Sequence, residues 1–224
     1  MDNEPYNPLD KRHLAASVGE ALLERGVVRI DQLTRFSGSG VYAIYYTGSH
    51  PSYEPLASRN RDNKFEWPVY AGKAVPSGSR KGGGASASSD ESGPVGTESS
   101  VYSRLRQHAS SLAQAENLEV SDFYCRYLIV DPLWIPLGES IIIASFAPIW
   151  NTLLDGFGNH NPGKGRKDGM VSRWDVMHPG RSWTHLFQPR PETQEALAME
   201  VLNALSMATV PHRPRLLLNP PRAI

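Results

Sequence analysis

Between residues 10 and 25 the apolar positions Leu14, Ala15, Val18, Leu22 and Leu23 recur at three- and four-residue intervals. That is the spacing of one helical face, and Gly26 stands where a helix C-cap belongs. The pattern then changes period. Val41 to Tyr46 is rich in β-branched and aromatic residues and predicts a strand entered through Ser37-Gly38-Ser39-Gly40. A polar excursion from Thr47 to Pro68 leads to a second predicted strand at Val69 to Ala71, and the two strands are expected to pair as a long-looped hairpin. Residues 77–100 are low-complexity Gly and Ser, a composition that buries too little apolar surface to offset ordering, so a flexible loop is expected over about 77–98. Ser99 or Ser100 can cap a helix through VYSRLRQHASSLAQAEN. Phe123 to Val130 predicts a strand, and Pro136 fits the first turn of a helix over Leu137 to Phe146 that Pro148 ends. A Gly-, Asn- and Trp-rich stretch to about Trp183, an amphipathic helix over Thr193 to Met207 and a Pro/Arg-rich tail (208–224) complete the chain. The order predicts an α+β class with a small, mostly antiparallel sheet flanked by helices.

Length and charge narrow the functional classes. With 224 residues the chain can bury a real core as one fairly large domain or two small ones. Lys plus Arg and Asp plus Glu both number 23, and zero net charge argues against a nucleic-acid coat protein. The balance hides local bias, because residues 59–81 and 156–190 each hold six Lys/Arg against two Asp/Glu. Such runs are ordinary as solvated faces. A single cysteine, Cys125, excludes a disulfide framework and a cysteine zinc site. The N-terminus lacks the apolar stretch of a signal peptide. Pro132 to Leu154 approaches the length of a membrane span but contains Glu139, three prolines and Asn151, so it reads as a buried core element. A soluble, cytoplasmic protein with no membrane partner is expected.

Several residues invite chemistry. Arg104 and His108 are four apart and share a helical face. A guanidinium beside an imidazole suits a phosphate, although two polar residues on a surface helix need no such role. Glu139 is the only charged residue between Asp131 and Asp155. It reads either as a buried partner of Arg104 or as the carboxylate of a hard divalent metal completed by phosphate oxygens and water. Tyr42 and Tyr70, in Gly40-Val41-Tyr42 and Tyr70-Ala71-Gly72, sit on adjacent predicted strands, where tyrosine is common. A functional phenol there needs Lys73, Arg104, His108 or a metal to favour the phenolate or take its proton. Asn151 can hold a tyrosine hydroxyl or a phosphate, or simply cap a helix. Gly158 to Gly165 nearly matches a P-loop, but Gly165 replaces the metal-binding Ser/Thr and no buried strand leads in, so no nucleotide cofactor is expected.

Taken in order, these residues resemble the GIY-YIG nuclease superfamily. GVY stands for GIY and YAG for YIG; Arg104 and His108 match the Arg and His of the following helix, Glu139 the metal-binding Glu, and Asn151 the late Asn. The resemblance covers about residues 38–155. The long hairpin insertion and the blocks WNTLLDGFGNHNPGKGR and WDVMHPGRSW look like the type II restriction-endonuclease branch that recognises a GC-rich palindrome. The resemblance implies one nuclease domain carrying an N-terminal helix, a hairpin insertion and a C-terminal extension as decorations. It also implies one Mg²⁺ per site on Glu139 (with Mn²⁺ as a substitute), Tyr42 as general base assisted by His108, Arg104 stabilising phosphorane-like charge, and Tyr70 and Asn151 orienting phosphate and water. Lys73 is then a supporting cation. A palindrome such as CCGCGG on double-stranded DNA would call for a homodimer. Arg59, Arg61, Lys64, Lys73, Lys164, Arg166, Lys167 and Arg181 become candidate DNA contacts. A repair or mobile-element nuclease and a non-catalytic DNA-binding protein of the same fold are the competing expectations.

Overall fold

The structure is a computed structural model that describes residues 10–76, 100–159 and 169–209. The Gly/Ser segment, the basic residues Lys164, Arg166 and Lys167, most of the P-loop-like stretch and nearly all of the tail lie outside the described residues.

Helix α1 (Lys11–Leu23) starts where the Asp10 carboxylate accepts from the Arg12 amide; it buries Ala15, Leu22 and Leu23 as the spacing predicts, together with Ala16, while Leu14 and Val18 are half-buried. Its C-cap is Glu24, so Gly26 is not needed to stop it. Four strands follow in chain order, β1 (Val28–Arg29), β2 (Gly40–Tyr46), β3 (Tyr70–Ala74) and β4 (Phe123–Ile129). They form one antiparallel sheet in the order β1-β4-β2-β3. The pairing of β2 with β3 is the expected hairpin, with Tyr42 opposite Gly72 and Ile44 opposite Tyr70. Every residue of β2 is buried, as befits a central strand covered on both faces. The two-residue β1 was not foreseen, being too short for a period-2 signal.

The excursion between the hairpin strands is more ordered than its polarity suggests. It contains helix α2 (Glu54–Asn60), preceded by a 3₁₀ turn over Pro51–Tyr53. Asn60 fastens the return: its carboxamide donates to the carbonyls of Tyr46 and Trp67 and accepts from the Trp67 amide. Helix α3 (Val101–Gln114) begins at Ser100, whose hydroxyl accepts from the Ser103 amide. Helix α4 (Ile135–Phe146) starts two residues earlier than expected and stops at Ala147, which adopts a left-handed conformation. Pro148 therefore does not terminate α4; it precedes the short helix α5 (Ile149–Thr152). Helices α6 (Arg173–Met177) and α7 (Gln194–Met207) follow, with Ser172 and Thr193 as side-chain N-caps.

The sheet separates two layers. A Cβ added at Gly138 of α4 would lie 2.6 Å from Val18 of α1 and 3.3 Å from Val41 of β2, so α1 and α4 cover the Val41 face. Strand alternation turns Tyr42 to the other face, where α3 packs. The edge strand β3 is open on one side, and the chemistry-bearing residues gather around it. None of the described helices is long and apolar enough to cross a membrane.

Candidate active site

The two glycines of the tyrosine tripeptides are there for close approach. A Cβ on Gly40 would collide with the Leu128 carbonyl of β4, and one on Gly72 would lie 2.5 Å from Tyr42 Oη. The Tyr42 phenol thus lies over Gly72, on the face it shares with Tyr70. Helix α3 buries Val101, Leu105, His108, Ala109 and Leu112, so His108 belongs to its core-facing stripe. The imidazole Nε2 lies 2.8 Å from Tyr42 Oη, and the two residues are 2% and 1% exposed. Tyr70 and Tyr42 have ring centroids 6.4 Å apart, and Tyr70 also meets His108 edge-on at 5.1 Å.

Burial pushes the Tyr42 hydroxyl well above the ordinary phenol range; the neighbouring Tyr70 adds to the rise, Arg104 opposes it by charge and hydrogen bond, and Glu139 adds to it again. Tyr70 is raised for the same first reason, with Arg104 opposing and Glu139 adding. Tyr42 therefore keeps its proton at neutral pH, and its hydroxyl can donate to His108 Nε2, leaving the imidazole as the proton's acceptor. Arg104, one helical turn before His108, also hydrogen-bonds Gln107 at 3.1 Å.

Glu139 reaches the site from the opposite layer. Its Oε2 lies 2.6 Å from Lys73 Nζ, with the Glu139 side chain 20% exposed. An ion-pair partner is thus the lysine two positions past Ala71 in β3, a pairing the sequence spacing did not single out. Glu139 nonetheless raises both tyrosine hydroxyls a little through its charge, after burial and against Arg104. No three His, Cys, Asp or Glu side chains cluster as a metal cage among the described residues. The donor set fits a different mode: a hard cation held by one carboxylate, waters and substrate oxygens, at a place where an ammonium already stands.

Asn151 acts through backbone. Its Oδ1 accepts from the Ala71 amide at 2.7 Å, and its Nδ2 donates to the Ala71 carbonyl at 2.8 Å. The carboxamide thereby takes the place of a neighbouring strand at the open edge of β3. It supports Tyr70 and Gly72 rather than standing as a bare capping residue.

The candidate DNA contacts divide sharply. Arg59 and Lys64 are exposed on the hairpin insertion, each near a carboxylate (Glu66 at 3.7 Å and Asp62 at 3.6 Å). Arg61 is anchored to both oxygens of Glu54 and to the carbonyls of Thr47 and Gly48, so it holds the insertion together. Arg181 corrects the expectation outright. It is 2% exposed, its Nε donates to Asp175 Oδ1 at 2.6 Å, and its guanidinium lies between Trp174 and Trp183 at 4.4 and 4.6 Å. A guanidinium buried and bonded in this way is not presented to DNA.

Sequence reasoning also missed a buried chain running Trp150 Nε1 to Tyr53 Oη (2.9 Å), Tyr53 Oη to His178 Nε2 (2.6 Å) and His178 Nδ1 to Asn117 Oδ1 (2.8 Å). Burial, then the charges of His50 and Arg181, hold His178 far below the ordinary imidazole range. The folded protein thus keeps it neutral, whereas the unfolded chain takes up the proton near a pH of about 6.5. Stability is therefore full above that pH and falls as pH drops below it, by up to ~1.4 kcal/mol per pH unit for this proton. Urea midpoints measured from pH 7.5 to 5 should fall accordingly, with a shallower slope in His178→Gln.

A family model described as the Eco29kI GIY-YIG domain matches residues 34–205. No curated protein matches the chain.

Proposed function

The chain belongs to the Eco29kI GIY-YIG domain family of restriction endonucleases, which are DNA phosphodiester hydrolases, and from that premise we propose that it is a Mg²⁺-dependent type II enzyme cutting double-stranded DNA at a GC-rich palindrome. The observation that carries this reading is the convergence of Tyr42, Tyr70, Arg104 and His108 on one sheet face with Glu139 at the same edge strand.

Members of this superfamily generally use a divalent metal. Glu139 would hold Mg²⁺ or Mn²⁺, and the ion would supply Lewis-acid polarisation of the phosphate and charge neutralisation at the leaving oxygen. The remaining work falls to the protein's own groups. Tyr42 Oη takes a proton from the attacking water as its own proton passes to His108 Nε2, so a high phenol pKa is no obstacle: no free phenolate has to accumulate. The water oxygen bonds to phosphorus and the P–O3′ bond breaks, leaving a 5′-phosphate and a 3′ oxygen that takes a proton from solvent. Arg104 offers a fixed fork of donors to the phosphate as negative charge grows on it. Tyr70 positions the phosphate, and Asn151 holds the strand that carries Tyr70. Lys73 keeps Glu139 oriented before substrate arrives.

A palindromic site calls for a homodimer with one active site per strand, each protomer a single nuclease domain. Arg59, Lys64 and the 40% exposed Lys73, with Lys164, Arg166 and Lys167, are the remaining candidates for phosphate and guanine contacts. CCGCGG is the target proposed. Plasmid digestion tests the reading: Mg²⁺ should produce discrete fragments with matching ends, whereas nicking confined to branched DNA would assign the chain to repair instead. DNA affinity should fall roughly 10³-fold between 50 and 200 mM salt if about six phosphates are contacted. A flat response would remove the basic residues from the interface.

A further inference from the structure

The C-terminal segment is more than an appendage to the nuclease core. Arg181 Nη1 donates to the carbonyls of Phe157 and Asn159 at 3.2 Å, and its Nη2 donates to the Gly156 carbonyl at 2.9 Å. Asp175 fixes that guanidinium through Nε, and Asp175 is itself held by the Ser172 hydroxyl at 2.6 Å. The loop pinned by these bonds carries Phe157, which is 1% exposed. Its ring stacks on the His108 imidazole at 4.6 Å with only 16° between the planes, and it meets Tyr70 edge-on at 5.0 Å. Trp150 and Trp174 close its other sides at 4.5 and 5.2 Å. An imidazole with one face against a fixed ring cannot tilt out of its plane without breaking that stack. Within the plane the stack fixes, Nε2 lies 2.8 Å from Tyr42 Oη.

We propose that Phe157 is a positioning residue for hydrolysis: held by the Arg181–Asp175 pair, it holds the His108 ring in the plane where Nε2 meets the Tyr42 hydroxyl and accepts its proton. This rests on the role given to His108 above. It makes Phe157, Asp175 and Arg181 part of the active-site support, acting through one stacked pair rather than through contact with DNA. Asp175 and Arg181 are then buried as a charged pair because three carbonyls must be held at once, which an apolar pair of the same volume could not do.

The test is a double-mutant cycle on cleavage. Phe157→Leu keeps an apolar side chain but removes the flat face, and should lower kcat roughly 10- to 100-fold, as small misplacements of a reacting group do. KM and DNA affinity should stay within about twofold, since Phe157 contacts neither phosphate nor base in this scheme. In a His108→Ala background, Phe157→Leu should cost nothing further. A general loosening of the fold would instead lower activity by the same factor in both backgrounds, and that additivity would overturn the proposal. Unchanged kcat in Phe157→Leu beside a strongly impaired His108→Ala would overturn it as well, leaving the catalytic reading intact. Full activity in His108→Ala alone would remove the catalytic reading on which it rests. Should Phe157→Leu fail to fold, Phe157→Met, flexible and of closer volume, enters the same cycle with the same expectations.

Discussion

Glu139→Ala should abolish cleavage, lowering the rate at least ~10³-fold, while leaving DNA affinity within a few-fold. The size follows from the role proposed for it: Glu139 is the carboxylate, among the described residues, proposed to hold the divalent ion, and with the ion would go several kcal/mol of charge stabilisation in the transition state, at ~1.4 kcal/mol per tenfold in rate. The fold should survive, because the partner left behind, Lys73, is 40% exposed and can be hydrated. A partly exposed ion pair of this kind contributes only about 0–1 kcal/mol. Thermal unfolding of the variant separates the effects: a midpoint close to wild type with no cleavage places the loss in the chemistry. If Glu139→Ala cleaved at the wild-type rate, the metal assignment would be wrong.

Tyr42→Phe should be nearly as damaging, lowering kcat by about 10²- to 10⁴-fold, the range for a positioned acid–base group. The ring remains to fill the space over Gly72, so the change isolates one oxygen. Its removal leaves His108 Nε2 without the hydroxyl 2.8 Å away. The pH dependence distinguishes this relay from a phenolate base. With the proton passing to His108, activity requires a neutral imidazole and declines on the acid side, and that acid limb should vanish in His108→Ala. A rate that instead climbs steadily into the range of phenol ionisation would show that Tyr42 must ionise first.

The residues legible in the sequence were those whose geometry follows from local periodicity. Four-residue spacing brings Arg104 and His108 together, and strand alternation with an antiparallel hairpin brings Tyr42 and Tyr70 to one face. Glu139 was conspicuous because a lone carboxylate in an apolar helix demands a partner. What local pattern could not disclose was which partner. Lys73 meets Glu139 only because α4 packs against β3, a tertiary fact. Asn151 was recognisable by position, yet its bonds to Ala71 across the fold were not. Arg181 misled for a related reason: a basic run looks solvated until Trp174, Trp183 and Asp175 enclose one member of it. Helix α2 was hidden by its brevity and polarity, since a helix of seven residues leaves little apolar period to read.

Most directly, the ends of cleaved DNA test whether this chain is a sequence-specific nuclease acting on both strands. Run-off sequencing of plasmid fragments made by the Mg²⁺-supplied protein should give one GC-rich palindrome at every end, cut at the same position on each strand. Ends scattered over unrelated sequences, or nicks on one strand alone, would contradict the account.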